Sequence, residues 1–404
     1  MAKIEVQTPK GFRDFLPSSA ASRAFLLKKI KSTVEKFGFE PLETPAIEYA
    51  ETLNGKYGEE EKLIYEFTDR GNRQIALRYD LTVPLARVAA QYKDLTKPFK
   101  RYQAQSVWRA ENTQKGRFRE FLQVDFDTVG AKDLLADAEV IACALTFIDN
   151  LGFKNFNMRV NDRSVFQNLP LSAISSIDKI KKIGEDGVFL EMQNKGFSAG
   201  EARKILDQIK VNSTTPLIDE LFKNLEALGV SKENFAFDPT LARGLDYYTG
   251  AIFELEIEGY TAGSVGGGGR YDNLIGMFSE DKIPAVGFSF GFDRLLEAAN
   301  EQNLVPEYSP STKVLVTIFS QDLVQDSLSL VSTLRNSGIN TQVYLDPEAK
   351  LDKQIKYADN KKIPYVAILG PEEKENGVVT LKDLKKASQK QIKEAELIKT
   401  LREP

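Results

Sequence analysis

Apolar residues recur at helical spacing from Ser22 to Phe37, where Phe25, Leu26, Ile30, Val34 and Phe37 fall on one face and Gly38 follows as a stop signal. The run Lys97–Val129 has a different rhythm. It is rich in aromatic and β-branched residues, and it predicts two strands around the charged loop A-E-N-T-Q-K-G-R-F-R-E. Residues 163–235 return to helical period, dense in Lys, Glu, Leu and Ile, with breaks at Gly184, Gly196 and Pro216, and predict a small all-helical insertion. Residues 236–300 are strand-like and Gly-rich, then close with the helix G-F-D-R-L-L-E-A-A-N. Pro306 and Pro310 mark a linker. From Thr312 onward strands and helices alternate. K-V-L-V-T-I-F, T-Q-V-Y-L and P-Y-V-A-I-L-G read as strands. D-L-V-Q-D-S-L-S-L-V-S-T-L-R, ending at Gly338, and L-D-K-Q-I-K-Y-A-D read as helices. That order predicts a small α/β domain with a largely parallel sheet.

Composition narrows the chemistry. The 404 residues are long enough for two or three domains. Hydrophobic residues at 42% and charged residues at 28% describe an ordinary globular chain. The formal net charge is −4, so the whole chain carries no basic signature for nucleic acid. Residues 312–404 hold 15 Lys and Arg against 13 Asp and Glu, net +2, which leaves −6 for the rest. The one cysteine, Cys143, sits in the apolar run E-V-I-A-C-A-L-T-F-I and reads as a buried structural thiol in a reducing compartment. The N-terminus lacks the apolar core of a signal peptide, and no apolar run is long enough to cross a bilayer, so a cytoplasmic enzyme is expected. There is no histidine at all. Imidazole metal sites, Ser-His-Asp hydrolysis and histidine general-base catalysis are therefore excluded. Chemistry must rest on carboxylates, arginines, backbone groups and Mg²⁺.

Four constellations could carry it. Arg109 and Glu111 in V-W-R-A-E stand two apart, so on a strand they would share a face and could hold a phosphate and a base amine; a solvated cross-strand salt bridge fits the spacing equally. R-G-L-D-Y-Y-T-G, residues 243–250, places an arginine at a turn beside a strand, or is an ordinary turn. G-G-G-G-R-Y-D, residues 266–272, demands either positive φ or a close backbone approach, by a ligand or by a neighbouring strand. It is not a phosphate-binding P-loop, because no G-K-[ST] follows. Arg294 in G-F-D-R-L-L lies on the first turn of a helix, where it could reach a phosphate or stack on a purine, or simply face solvent.

Taken together, the four resemble one family. V-W-R-A-E with F-R-E-F-L-Q is similar to motif 2 of class II aminoacyl-tRNA synthetases, and G-F-D-R-L to motif 3. R-G-L-D-Y-Y-T-G and G-G-G-G-R-Y-D-N-L resemble the two signatures of histidyl-tRNA synthetases, as do T-P-K-G-F-R-D-F-L-P and L-R-Y-D-L-T-V-P-L-A-R near the N-terminus. The resemblance spans essentially the whole chain. It implies an α+β catalytic domain with an antiparallel sheet flanked by helices (1–162 and 236–305), a helical insertion (163–235) and a C-terminal α/β anticodon-binding domain (312–404). It also implies a homodimer formed through the N-terminal motif 1 region, with the insertion near the acceptor arm of tRNA(His). The implied reaction is attachment of L-histidine to tRNA(His) with ATP and Mg²⁺, through histidyl-adenylate, releasing AMP and pyrophosphate.

The resemblance also implies roles. Arg109 would hold the α-phosphate and Glu111 the adenine amine. Phe121 and Arg294 would sandwich the adenine, and Arg117 would meet the outer phosphates. Arg243 would bridge the substrate carboxylate and the α-phosphate. Asp80, Thr82, Gln123 and Asp127 would bind the amine and ring of histidine, Tyr247 and Tyr248 would close over it, and Gly266, Gly267, Gly268 and Gly269 would form the floor. The chain departs from the family at Leu122, where histidine or tyrosine is usual, and at Asp80, Asp127 and Asp293, where glutamate is common. Non-catalytic relatives that serve histidine biosynthesis as regulatory subunits usually lack the C-terminal domain, which is present here.

Overall fold

The structure, a computed structural model, describes residues 4–113, 116–210, 213–242 and 247–402. It divides into two compact units, residues 1–306 and 307–404. Residues 163–235 do not separate as a third unit.

The first unit is built on an eight-stranded sheet. Its strands are β1 (Glu40–Pro41), β5 (Phe99–Trp108), β6 (Glu120–Val129), β7 (Phe156–Asp162), β8 (Phe235–Phe237), β9 (Ala251–Ile257), β10 (Gly266–Arg270) and β11 (Ala285–Gly291). Their order is β1-β5-β6-β11-β10-β9-β7-β8, antiparallel throughout except for the parallel pairings at the two edges. A separate three-stranded sheet comprises β2 (Ile47–Tyr49), β3 (Glu66–Thr68) and β4 (Gln74–Leu77), in the order β2-β4-β3. The helices are α1 (Pro17–Lys36), α2 (Ala50–Leu53), α3 (Thr82–Gln91), α4 (Leu135–Leu151), α5 (Leu171–Ile177), α6 (Ile180–Asn194), α7 (Ala199–Lys210), α8 (Pro216–Ala227) and α9 (Phe292–Glu301).

Strand alternation divides the large sheet into two chemically different faces. Val124, Phe126, Phe253, Leu255, Phe288 and Phe290 point to one side, where they join residues of α1, α4, α8 and α9 in the main core. The aromatic members pack tightly, with Phe288 and Phe290 at 4.9 Å and Phe147 on Phe290 at 5.2 Å. The intervening residues Gln123, Asp125, Asp127, Glu254 and Ser289 face the other way. One face anchors the fold and the other is left for chemistry.

The helical segment splits between these two sides. α5, α6 and α7 bury Ile174, Val188, Met192 and Leu206 in a second core together with Tyr247, Tyr248 and Tyr271. Gly184 (φ +70°) bends α6 and Gly196 (φ +96°) separates it from α7. α8 instead places Ile218, Leu221 and Leu225 in the main core against α4. It begins at Pro216, capped by the Thr215 hydroxyl. The expected insertion therefore ends, in packing terms, before α8.

The second unit carries β12 (Val314–Val316), β13 (Thr341–Val343), β14 (Tyr365–Ile368), β15 (Val379–Asp383) and β16 (Ser388–Ile392), with α10 (Val324–Asn336), α11 (Leu351–Asn360), α12 (Pro371–Asn376) and α13 (Glu394–Arg402). β13-β12-β14 are parallel, whereas β14-β15-β16 are antiparallel. The sheet is thus mixed, correcting the expectation of a largely parallel one. The missed hairpin, V-T-L-K-D-L-K-K-A-S-Q-K-Q-I, reads as polar because its outer strand is an exposed, lysine-bearing edge. Asp383 makes its turn by accepting the backbone N–H groups of Lys385 and Lys386, each at 3.0 Å.

Candidate active site

Above the polar face of the large sheet lies a cavity of about 350 Å³, within the range of small-ligand sites. Its lining includes Asp80, Thr82, Arg109, Glu111, Arg117, Phe121, Gln123, Tyr247, Tyr248, Gly266, Gly267 and Arg294. Residues expected from five separate motifs thus meet in one place. Arg243 lies outside the described residues.

The glycine run of β10 owes its composition to close approach. A Cβ on Gly268 would stand 1.9 Å from the Gly287 carbonyl oxygen, and one on Gly266 would meet Phe288 at 2.6 Å. At Gly269 it would meet the Tyr248 ring at 2.7 Å. None of these glycines has positive φ. The neighbouring strands and Tyr248 are what exclude side chains, and they leave bare backbone at the cavity floor. Gly266 and Gly267 reach the cavity, while Gly268 lies beneath it.

Asp80 stands just before α3 and lines the cavity. Its Oδ1 accepts the Val83 N–H at 3.0 Å and the Tyr57 hydroxyl at 2.9 Å. Its Oδ2 is buried without a partner. Burial pushes the carboxyl pKa up, against the helix N–H, Tyr57, Arg109 and Arg101, which all favour the charged form. Gln123 donates through Nε2 to Ser289 Oγ at 2.7 Å, and its Oε1 is also buried and unpartnered. Two acceptors therefore await donors. Tyr247 packs on Tyr248 at 4.9 Å and shares a hydrogen bond with Thr82.

Asp127 does not line the cavity. It is buried farther along the same polar face, paired with the fully buried Arg101 at 2.8 Å and accepting the Tyr271 hydroxyl. A Cβ on Gly287 would stand 1.8 Å from Asp127 Oδ1, so the neighbouring strand must be bare for this carboxylate to fit. Both of its described contacts, Arg101 and Tyr271, are protein side chains.

The cavity also holds three arginines. Arg109 spans the rings of Tyr79 at 4.2 Å and Phe121 at 5.2 Å and donates to the Tyr79 carbonyl at 3.3 Å. Burial opposes its charge, but Tyr79, Glu60, Glu111 and Asp80 outweigh that and raise its pKa. Arg294 donates to the Ser264 carbonyl at 3.3 Å, and burial and the nearby Arg117 both lower its pKa. Arg117, itself exposed, meets Glu111 at 3.1 Å. Such an exposed pair is weak and readily exchanged for a phosphate. Asp293 is fixed below by Arg13 at 3.0 Å and by Arg23, and it accepts the Leu122 N–H at 3.3 Å. The aspartate at this position thus ties the opening GFRDFLP segment to β6.

The cavity also includes Glu60, Phe118, Asp178, Glu254, Ser264 and Ser289, which the sequence reading did not single out. Glu254 and Ser289 were accessible in principle, since each stands on the polar side of an alternating strand opposite Gly267 and Asp125. Asp178, between α5 and α6, had no local signal.

The histidyl-tRNA synthetase family model matches residues 11–185 and 187–295, and an anticodon-binding domain model matches residues 313–404. The chain belongs to the histidyl-tRNA synthetase family. It is 40% identical to the histidine–tRNA ligase of Cytophaga hutchinsonii, with 93% of this chain and 95% of that one covered. It is 37% identical to the histidine–tRNA ligase of Aeropyrum pernix, covering 99% of each. Among solved structures, the histidyl-tRNA synthetase of Nostoc sp. aligns over 99% of both chains with a TM-score of 0.83 and 32% identity. A Bacillus halodurans protein described as an ATP phosphoribosyltransferase regulatory subunit/histidyl-tRNA synthetase shares the fold, with a TM-score of 0.73 at 22% identity over 88% of this chain. The family's pairing of a catalytic and an anticodon-binding domain agrees with the two compact units.

Proposed function

We propose that this member of the histidyl-tRNA synthetase family joins L-histidine to tRNA(His) in two steps on the cavity above β6, β10 and β11. The histidine carboxylate attacks the α-phosphate of ATP, giving histidyl-adenylate and pyrophosphate. The terminal hydroxyl of the tRNA then takes the histidyl group and AMP leaves. The observation that carries this reading is that one cavity holds both kinds of group: the unpaired acceptors of Asp80 and Gln123, and the guanidinium groups of Arg109, Arg117 and Arg294.

In this reading Asp80 and Gln123 accept N–H groups of histidine, Thr82 and the tyrosine pair Tyr247–Tyr248 enclose it, and Gly266 and Gly267 present backbone to it. Arg109 holds the α-phosphate, where negative charge grows during attack, while Arg117 meets the outer phosphates. Phe121 and Arg294 flank the adenine and Glu111 accepts its amine. Arg243 is assigned the bridge between substrate carboxylate and α-phosphate by its motif. Asp127 acts indirectly, through Arg101 and Tyr271.

Among the described residues no three acidic or thiol side chains cluster into a metal cage. Mg²⁺ needs none, because it binds through one or two carboxylates, water and substrate phosphates. Glu254, a lining carboxylate with no other assigned partner, would hold it here. When bound, it neutralises phosphate charge.

A homodimer is supported by the three-stranded sheet. Ile47, Tyr49 and Phe67 are exposed, and the register Ile47↔Leu77, Tyr49↔Ile75 and Phe67↔Ile75 puts them with Ile75 and Leu77 on one open apolar face. Sedimentation is expected to show twice the 45.2 kDa chain mass. The proposed compartment is the cytoplasm, where the buried thiol of Cys143 stays reduced. No helix among the described residues is long and apolar enough to cross a membrane.

Amino-acid-dependent ATP–pyrophosphate exchange across the twenty amino acids tests the reading. Exchange with histidine alone, abolished by Arg243→Ala, is the expected result. A folded sample that exchanges with none would point to a non-catalytic relative.

A further inference from the structure

Asp125 belongs to none of the motifs' substrate contacts, yet it is a carboxylate with 2% exposure in the middle of the polar sheet face. It stands two residues from Gln123 on β6, so both side chains leave the strand on the same side. Across the ladder its partner on β11 is Ser289. From that cross-strand position the Ser289 side chain favours the charged Asp125, and its oxygen receives the Gln123 Nε2–H at 2.7 Å.

The direction of this chain of bonds is dictated by what each group can do. A carboxylate only accepts, so the serine hydroxyl donates its one proton to Asp125. Ser289 Oγ can then offer Gln123 only a lone pair. Gln123 must present its nitrogen to Ser289, and its oxygen is left facing the cavity, buried and unpartnered. The flipped amide would set two acceptors against each other, at a desolvated site where an unmade bond is expensive. We propose that Asp125 is a positioning residue for substrate recognition, which acts through Ser289 to hold the Gln123 amide with its oxygen toward the amino acid.

The inference rests on the proposed histidine site and deepens it. The recognised chemistry is an N–H donor on the substrate, either ammonium or imidazole. Fully buried Arg101 faces Asp125 from β5 and favours its charge. Burial works against this, as does the neighbouring carboxylate Asp127, and together they bring the Asp125 pKa up to about 7. Assays at pH 8 keep it ionised.

The test is histidine-dependent exchange at pH 8 with Asp125→Asn, Ser289→Ala and the double variant. Asparagine keeps the volume but can donate to the serine, so the polarity is no longer enforced. Each single variant is expected to raise the KM for histidine about tenfold, the loss of one oriented hydrogen bond. The kcat and the KM for ATP should stay within about twofold. The double variant should be no worse than the worse single one, because both break the same relay. An unchanged histidine KM in Ser289→Ala overturns the proposal even if Asp125→Asn fails to fold. Additive losses in the double variant, or equal losses for ATP, overturn it as well. If the unsubstituted chain shows no histidine-dependent exchange, the reading of the site fails instead, and that failure is distinguishable.

Discussion

Alanine in place of Arg270 is expected to destabilise the first unit by about 3–5 kcal/mol, because it leaves a buried carboxylate without its counter-charge. Arg270 ends the glycine strand and is 5% exposed, and its partner Asp137, on α4, is fully buried. The guanidinium meets both Asp137 oxygens and also donates to the Ala131 carbonyl at 3.0 Å and the Asp133 carbonyl at 3.1 Å. Burial pushes the Asp137 pKa up and Arg270 counters it, so removing the arginine exposes the full desolvation penalty. The two family signatures also meet here. A Cβ on Gly250 would press on the Arg270 stem at 3.1 Å, and the Thr249 N–H donates to the Arg270 carbonyl at 2.8 Å. The measurement is the urea midpoint of the intact chain, with Arg270→Met/Asp137→Leu as the companion. That pair removes both charges and should recover most of the loss. A loss below about 1 kcal/mol for Arg270→Ala would place this ion pair among the weak ones and sink the argument.

The glycine signature and the polar residues of the sheet face therefore serve each other. Bare backbone at Gly268 and Gly287 lets three strands close to contact distance, and that closure gives Asp127 room to pin Arg101 and Tyr271. The polar face is assembled from residues that no single element supplies. Asp80 comes from the start of α3, Gln123 from β6, Ser289 from β11 and Tyr247 from the segment before β9. Preorganisation of this kind fits a reaction in which fixed charges stabilise a developing one.

Much of this was legible in the sequence. Glycine and proline punctuation marked the bend at Gly184 and the helix boundaries at Gly196 and Pro216, and the aromatic and β-branched run Lys97–Val129 predicted the two strands around their loop. The order of motifs named the residues that converge on the cavity. What escaped needed register or packing. Asp127 carries the same alternation as Gln123, and only its packing against Arg101 and Tyr271 keeps it out of the cavity lining. α8 has the same helical period as α5–α7, and nothing local says that its apolar face belongs to the main core. The β15–β16 hairpin is stabilised by pairing along an exposed edge, so its residues carry little of the apolar signal on which strand reading depends.

Among the described residues, Arg109 is the side chain whose loss should most reduce turnover. It is the arginine held between two rings, beside Glu60, Glu111 and Asp80 and within the cavity that the acceptors share. Because carboxylates and aromatic faces already hold the guanidinium in place, little reorganisation remains when charge develops on the α-phosphate. Arg109→Ala is therefore expected to lower kcat for histidine-dependent exchange by about 10²–10³, the loss typical of removing one preorganised donor. The KM for histidine should change far less, since Asp80 and Gln123 are untouched. Arg109→Lys restores the charge but not the planar fork that stacks on Tyr79 and Phe121, so it should recover only a small part. Stability should fall modestly, because Glu60, Glu111 and Asp80 lose their shared cation. Exchange within about threefold of the unsubstituted chain would remove Arg109 from the chemistry and shift the α-phosphate contact to Arg243 or Arg117. A rise confined to the histidine KM would instead place Arg109 in substrate binding alone, since a group that acts only in the transition state lowers kcat and leaves ground-state affinity in place.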